Sequence, residues 1–119
     1  MTDIEQLYTL EVHEKGAEMQ VCNEFGEKLD MFLILKGLDS KAWRGLMSQA
    51  SLKKLEGADE IEVIAESLSK ITVGWRGFTS KGKELKFSKE KAKQLYMNAP
   101  YLQGQVDKFI TDRKNFTKG

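Results

Sequence analysis

The chemically most versatile side chains of this sequence are its one histidine, His13, and its one cysteine, Cys22. His13 belongs to an alternating run and falls on the side away from the apolar positions, so we expect it to face solvent rather than act as a general base. Cys22 has no second histidine or basic neighbour to activate it, so we expect an unreactive, half-buried thiol. One histidine and one cysteine supply neither a disulfide nor a usual zinc ligand set. We therefore expect that the protein is not an enzyme and that it binds neither a metal ion nor a cofactor.

The glycines of residues 73–87 do not have the spacing of a phosphate-binding loop. Gly74, Gly77 and Gly82 follow a predicted helix rather than a strand, and no Gly-Lys-Ser or Gly-Lys-Thr run is present in the sequence. Glycine-rich loops bind phosphates when they connect a strand to the start of a helix. We therefore expect no nucleotide site.

A basic cluster follows these glycines. Lysines between aromatic side chains can hold phosphates and stack bases, so one interpretation is a small nucleic-acid-binding regulator that uses the Lys81–Lys93 cluster. The other is a solvated or partner-facing surface, which we favour because arginine is scarce there and the sequence pI is only about 7.8. The cluster consists of Lys81, Lys83, Lys86, Lys89, Lys91 and Lys93, with Trp75, Phe78, Phe87 and Tyr96 beside it.

Length and composition indicate one cytoplasmic domain over residues 1–119. The chain is 40% hydrophobic and 31% charged, as is usual for a globular protein long enough to bury its own core. Its start is acidic and its longest apolar stretch is Met31 to Leu35, so we expect no signal peptide and no membrane contact.

Charge is distributed unevenly along the chain. Residues 1–66 carry 7 Lys and Arg against 14 Asp and Glu, a net of −7, whereas residues 67–119 carry 12 against 4, a net of +8. Opposite charge at the two ends favours head-to-tail self-association or binding of a charged partner, although solvated surfaces alone also produce it. We expect self-association.

The first part of the sequence has the alternation typical of strands. Residues 8–13 and 17–21 both alternate apolar with polar side chains, and Gly16 between them can form a turn, which predicts a β-hairpin. Residues 29–36 are apolar at successive positions, which predicts a central strand covered on both sides. We therefore expect a three-stranded antiparallel meander.

Beyond residue 38 the apolar period becomes helical. Asp39 or Ser40 can cap a first helix that extends to about Leu55, and Asp59 can cap a second. Residues 73–87 are predicted to be a loop with a short hairpin at Lys81-Gly82. Ser88 caps a third helix that ends near Asn98 before a proline, and a fourth spans about 101–115. The predicted fold class is α+β, mainly β over 1–38 and mainly α over 39–119.

Two stretches of the sequence resemble one family, the tail assembly chaperones of long-tailed bacteriophages. The first is Leu33 to Arg44, which is similar to the family's strand, glycine-containing turn, Asp-Ser and helix opening with an aromatic residue and an arginine. The second contains Gly74 to Phe78, Leu85 to Ser88, a helix, Pro100 and the closing run Ile110 to Phe116. Order and spacing carry the resemblance, over about two thirds of the chain.

The resemblance implies a non-enzymatic assembly factor in the cytoplasm of the bacterial host. Such a chaperone binds the helical tape measure protein, helps to recruit tail tube subunits during virion morphogenesis, and leaves the finished virion. In many relatives a ribosomal frameshift produces a longer form that contacts the tube protein. A structural tail or neck component of the virion is the alternative. Amphipathic spacing and family position make five residues the candidate partner-binding set: Trp43, Met47, Trp75, Phe78 and Phe87.

Overall fold

The computed structural model of the chain describes residues 3–46, 57 and 59–117. The described elements are, in chain order, α1 (Leu10–Lys15), β1 (Ala17–Cys22), β2 (Lys28–Leu35), α2 (41–46), α3 (Glu60–Ile71), β3 (Thr72–Arg76), β4 (Thr79–Ser80), β5 (Lys83–Glu84), α4 (Lys89–Asn98) and α5 (Tyr101–Thr111). Short 3-10 turns lie at Ile4–Leu7 and Arg113–Phe116. The predicted α+β fold class is confirmed.

The main sheet has three antiparallel strands in the order β1-β2-β3. Leu33 lies opposite Met19 on one side and Trp75 on the other, so β2 is the central strand, as predicted. The turn between β1 and β2 is held by Asn23, whose Oδ1 accepts hydrogen bonds from the backbone amides of Phe25 and Glu27. Side-chain bonds of this kind fix the register of a hairpin.

The strand predicted over residues 8–13 is wrong, because Leu10–Lys15 forms helix α1. Two helix signals outweigh the alternation. Glu11 and Lys15 form a salt bridge of 2.8 Å at i, i+4 spacing, and Gly16 ends the helix with a φ of 100°. The third strand comes instead from Thr72–Arg76, which the sequence predicted as loop.

Helices α3, α4 and α5 cover one face of the main sheet. Leu33 and Leu35 of β2 are fully buried on that face against residues of the three helices. On the opposite face, Arg76 lies 3.7 Å above the Phe32 ring and reaches across β2 to Glu18, with two hydrogen bonds of 2.8 Å. The predicted cover on the second side of β2 is therefore partial, and Phe32 is half-buried.

The helix caps fall where the sequence predicts them. The side chains of Ser40, Asp59 and Ser88 each accept hydrogen bonds from backbone amides in the first turn of α2, α3 and α4. Helix α4 ends at Asn98, two residues before Pro100. The predicted continuation of α2 towards Leu55 lies outside the described residues. Helix α5 ends at Thr111, earlier than predicted, and a 3-10 turn follows it.

Candidate partner-binding surfaces

The four candidate partner-binding residues that the structure describes do not form one surface. Trp43 and Phe78 belong to the core, with 7% and 6% of their surface exposed, whereas Trp75 and Phe87 are half-buried. Met47 lies outside the described residues. Trp43 lines a groove between helices, and the other three described residues form a cluster beside the β4–β5 hairpin. The candidate set therefore divides into two separate surfaces.

The first surface, which we call the Trp43 groove, lies between α2, α3 and α5. Its volume is about 510 Å³. Gln103 at its edge donates hydrogen bonds to the carbonyls of Tyr96 and Ile61, at 3.0 and 3.3 Å, which fix α5 against α3 and α4. Gly104 contributes no side chain, and a Cβ placed there would have open space. The apolar lining residues are Trp43, Ile64, Leu68 and Pro100.

The second surface, which we call the aromatic cluster, consists of Trp75, Phe78 and Phe87. The rings of Trp75 and Phe78 are stacked with centroids 4.5 Å apart, and Phe87 meets Trp75 edge-on at 5.2 Å. The indole Nε1 of Trp75 donates a hydrogen bond of 2.9 Å to the carbonyl of Leu85. A cavity of about 170 Å³ opens at the cluster, with room for one aliphatic side chain.

The β4–β5 hairpin carries the predicted turn at Lys81-Gly82. Lys81 adopts a φ of 53° and Gly82 a φ of 79°, so both central residues have positive φ, as in tight hairpin turns. This conformation is strained for lysine, because residues with a Cβ avoid it. The hairpin presents Lys81 and Lys83 to solvent.

The lysines of the basic cluster have different roles. The Nζ of Lys89 donates hydrogen bonds to the carbonyls of Lys70 and Thr72, and burial, followed by the charge of Lys36, lowers the pKa of Lys89. Lys93 pairs with Glu62 of α3 at 3.6 Å. Within the part of the chain that the structure describes, the side chains of Lys81, Lys83 and Lys86 make no hydrogen bond and no ion pair. Only part of the cluster is free to meet a partner.

His13 is fully buried, which corrects the prediction of a solvent-facing side chain. On helix α1 rather than a strand, its ring turns inward and stacks on Phe116 with centroids 4.7 Å apart. Its Nδ1 accepts a hydrogen bond of 3.1 Å from the amide of Asp39, so a neutral ring carries its proton on Nε2. Nε2 lies 3.5 Å from a carboxylate oxygen of Asp39, too long for a good hydrogen bond.

These contacts form what we call the His13 junction, where helix α1, the turn after β2 and the 3-10 turn Arg113–Phe116 meet. Arg113 donates two hydrogen bonds to the Asp39 carboxylate, at 3.2 and 3.0 Å, and they hold the pKa of Asp39 below its usual range. Gly37 fits against the His13 ring, where a Cβ would overlap it. The junction is therefore closely packed around His13 and holds the Asp39–Arg113 ion pair, while Nε2 of His13 makes no hydrogen bond to a described residue.

Cys22 is half-buried, as predicted, at the end of β1. The side-chain amide of Gln105 accepts a hydrogen bond from the backbone N–H of Cys22 and donates one to the carbonyl of Cys22. Helix α5 therefore covers this part of the sheet edge. Among the described residues, no three His, Cys, Asp or Glu side chains are grouped so that they could hold a metal ion.

None of the helices within residues 3–46 and 59–117 is long and apolar enough to cross a membrane. Comparison with protein-family models, with curated proteins and with solved structures found no match for this chain.

The sequence prediction did not identify the exposed apolar residues near the start of the chain. Residues 3–10, which we call the acidic arm, expose Ile4, Leu7, Tyr8 and Leu10 by 60%, 72%, 55% and 53%. Of these, Tyr8 and Leu10 belong to residues 8–13, which the alternation predicts as a strand with one buried face. The signal that could have identified them is the Glu11–Lys15 pair followed by Gly16, which predicts a helix and leaves residues 3–9 outside the sheet.

Proposed function

We propose that this protein is a non-enzymatic bacteriophage tail assembly chaperone that works in the cytoplasm of the bacterial host. The observation that carries the proposal is the relation between the two stretches that resemble the family. They lie on neighbouring strands, with Leu33 opposite Trp75 and Ile34 opposite Gly74. The end of the second stretch, at Phe116, packs against the His13 junction beside the first. The two stretches therefore pack together in one unit, and this packing supports the proposal.

The proposed partner of the Trp43 groove is the tape measure protein. That protein is a long helix with apolar stripes, and a groove lined by Trp43, Ile64, Leu68 and Pro100 offers it a matching apolar surface. The polar edge of the groove, formed by Ser67, Gln103 and Asp107, fits the polar flanks of an amphipathic helix. Covering such a stripe keeps the tape measure protein soluble until tube subunits surround it, because exposed apolar stripes promote aggregation.

Two further partners complete the proposal. Copies of the chain associate with one another, as the charge difference between its halves favours. A longer product with the same start, made by a ribosomal frameshift, contacts the tail tube protein. Expression of the gene with its native downstream DNA, followed by intact-mass measurement, detects such a product as a minor species heavier than 13.6 kDa.

A groove-filling variant tests the assignment of the Trp43 groove. Gly104 and Gly45 are both helical glycines with open space around a Cβ, but only Gly104 lines the groove. We expect wild type and the control Gly45→Leu to keep a co-expressed tape measure protein in the soluble fraction, and Gly104→Leu to leave it in the pellet.

The two possible failures of this experiment have different meanings. If Gly104→Leu works as well as wild type, the tape measure protein does not bind in the Trp43 groove. If wild type itself leaves the tape measure protein in the pellet, the chaperone function is wrong. Circular dichroism of each purified variant establishes that the helices are intact.

A further inference from the structure

The acidic arm leaves an unusual amount of apolar surface uncovered. Four of the eight large hydrophobic side chains exposed in residues 3–46 and 59–117 lie within it, and Leu7 is 72% exposed. The same arm exposes two carboxylates, Asp3 and Glu5, and no hydrogen bond or ion pair between described residues holds them. A partner for the arm must therefore be apolar and positively charged at once.

The β4–β5 hairpin and the aromatic cluster beside it have those two properties. Lys81, Lys83 and Lys86 are exposed and unpaired within the described residues, and Lys86 also lines the aromatic cavity of about 170 Å³. The half-buried residues Trp75 and Phe87 both line this cavity. An aliphatic side chain of the arm can enter it while the carboxylates of the arm meet the lysines.

The arm cannot meet the hairpin of its own chain, because the two lie at opposite ends of β2. The arm leads into α1, whose His13 carbonyl accepts a hydrogen bond of 2.8 Å from Gly37, just after the carboxyl end of β2. The hairpin follows Gly77, which fits closely against the carbonyl of Asp30 near the amino end of β2. Strand geometry separates these two points by roughly 20 Å.

We propose that the acidic arm of one copy docks on the β4–β5 hairpin of a second copy, with Leu7 in the aromatic cavity and Asp3 and Glu5 against Lys83 and Lys86. Each copy then offers an arm at one end and a hairpin at the other. The contact joins two different surfaces, so it builds head-to-tail chains or rings, or a closed pair in which two antiparallel copies exchange it reciprocally. It rests on the self-association included in the proposed function, but it concerns the chain alone, without the tape measure protein.

Sedimentation velocity of the purified full chain tests the contact. The average mass of the wild type rises with concentration at about 50 mM NaCl and falls towards the monomer at about 500 mM, because exposed charge pairs are screened. Reversing the arm charges with Asp3→Lys and Glu5→Lys, or the hairpin charges with Lys83→Glu and Lys86→Glu, weakens association at least about tenfold. Lys81 is left unchanged because of its positive φ.

Mixing the two variants is the decisive step. The basic arm of one variant then faces the acidic hairpin of the other, and the acidic arm faces the basic hairpin, so an equimolar mixture regains the wild-type mass. Matched controls with the same change in net charge elsewhere, Glu24→Lys with Glu27→Lys and Lys108→Glu with Lys114→Glu, retain association. Circular dichroism establishes that all variants are folded.

The contact would be overturned by a wild type that stays monomeric at every concentration, by variants that associate like wild type, or by a mixture that stays monomeric. Controls that lose association as strongly as the arm and hairpin variants would also overturn it. None of these results bears on whether the chain keeps the tape measure protein soluble, which the co-expression experiment measures separately.

Discussion

The two ends of strand β2 differ in how their polar groups are satisfied. At the carboxyl end, the His13 junction joins three distant segments, and Arg113 and the Asp39 carboxylate pair with each other. At the amino end, the β4–β5 hairpin leaves its lysines in solvent beside half-buried aromatic rings. Matched contacts stabilise the fold, whereas unmatched charge beside apolar surface is typical of a binding region. We therefore assign the junction to stability and the hairpin to interaction.

The largest difference between the two ends is expected from truncating an aromatic ring at each. Phe116 is fully buried at the junction, so Phe116→Ala should lower the free energy of unfolding by about 3 to 5 kcal/mol. Phe87 at the hairpin end is half-buried, and Phe87→Ala should cost less than half as much. Urea denaturation measures both. Equal losses would contradict the assignment of stability to the junction.

A single methyl group should also disturb the junction. A Cβ at Gly37 would overlap the His13 ring, so Gly37→Ala should lower the free energy of unfolding by about 3 kcal/mol. Gly45→Ala is the control, since Gly45 lies in a helix with open space around it, and this change should be neutral or slightly stabilising. Thermal unfolding of the two variants gives the comparison, and a stable Gly37→Ala protein would show that the His13 ring can move aside.

Alkaline pH should weaken the fold through Tyr96, which lies under the junction end of β3. Its hydroxyl is 2.8 Å from Oγ1 of Thr72, and burial raises the pKa of Tyr96 from 10.0 to about 12, opposed in part by that hydrogen bond. A raised pKa in the folded state means that stability is complete below pH 10 and is lost as pH rises to about 12. The loss from this residue is about 2 to 3 kcal/mol.

The control for this pH dependence is Tyr96→Phe, which removes the titrating hydroxyl. At neutral pH it should lose about 1 kcal/mol, because the Thr72 hydroxyl loses a buried partner. Between pH 10 and 12 its free energy of unfolding should fall less steeply than that of the wild type. Parallel curves for the two proteins in urea titrations would exclude Tyr96 as the source.

The smallest expected effect is at the hairpin, where strain can be relieved. Lys81 has a φ of 53°, so Lys81→Gly should raise the free energy of unfolding by about 1 kcal/mol. Lys83 lies in strand β5, and Lys83→Gly should have the opposite sign because glycine weakens a strand. Thermal unfolding distinguishes them. A loss of stability in Lys81→Gly would mean that the lysine side chain, despite its exposure, stabilises the turn.

Much of the fold could be predicted from local signals in the sequence. The caps at Ser40, Asp59 and Ser88, the helix end before Pro100 and the central position of β2 depend on neighbouring residues, and the structure contains all of them. The missed strand Thr72–Arg76 depends on pairing with the distant strand β2, whereas the wrong strand over residues 8–13 overlooks the local Glu11–Lys15 pair and Gly16. Alternation alone does not reveal which segments pair, because it shows that a segment has one apolar face and does not identify the neighbouring strand.

The candidate surfaces were harder to predict than the fold, because burial is set by the whole molecule. Trp43 and Phe78 were chosen as partner-binding residues, and both lie in the core. Trp75 and Phe87 do remain half-buried beside the exposed lysines. The alternation predicts Tyr8 and Leu10 on a buried face, but the helix at Leu10–Lys15 places the acidic arm outside the sheet and leaves both side chains exposed.

Quantitative mass spectrometry of the chain during phage assembly tests the proposed function most directly. The protein is immunoprecipitated from host cells that are producing particles, and its amount is also measured in the purified particles. The chaperone function predicts that the tape measure protein is recovered with it from the cells and that the purified particles lack it. Stoichiometric amounts in the particles, or a precipitate without the tape measure protein, would contradict that function.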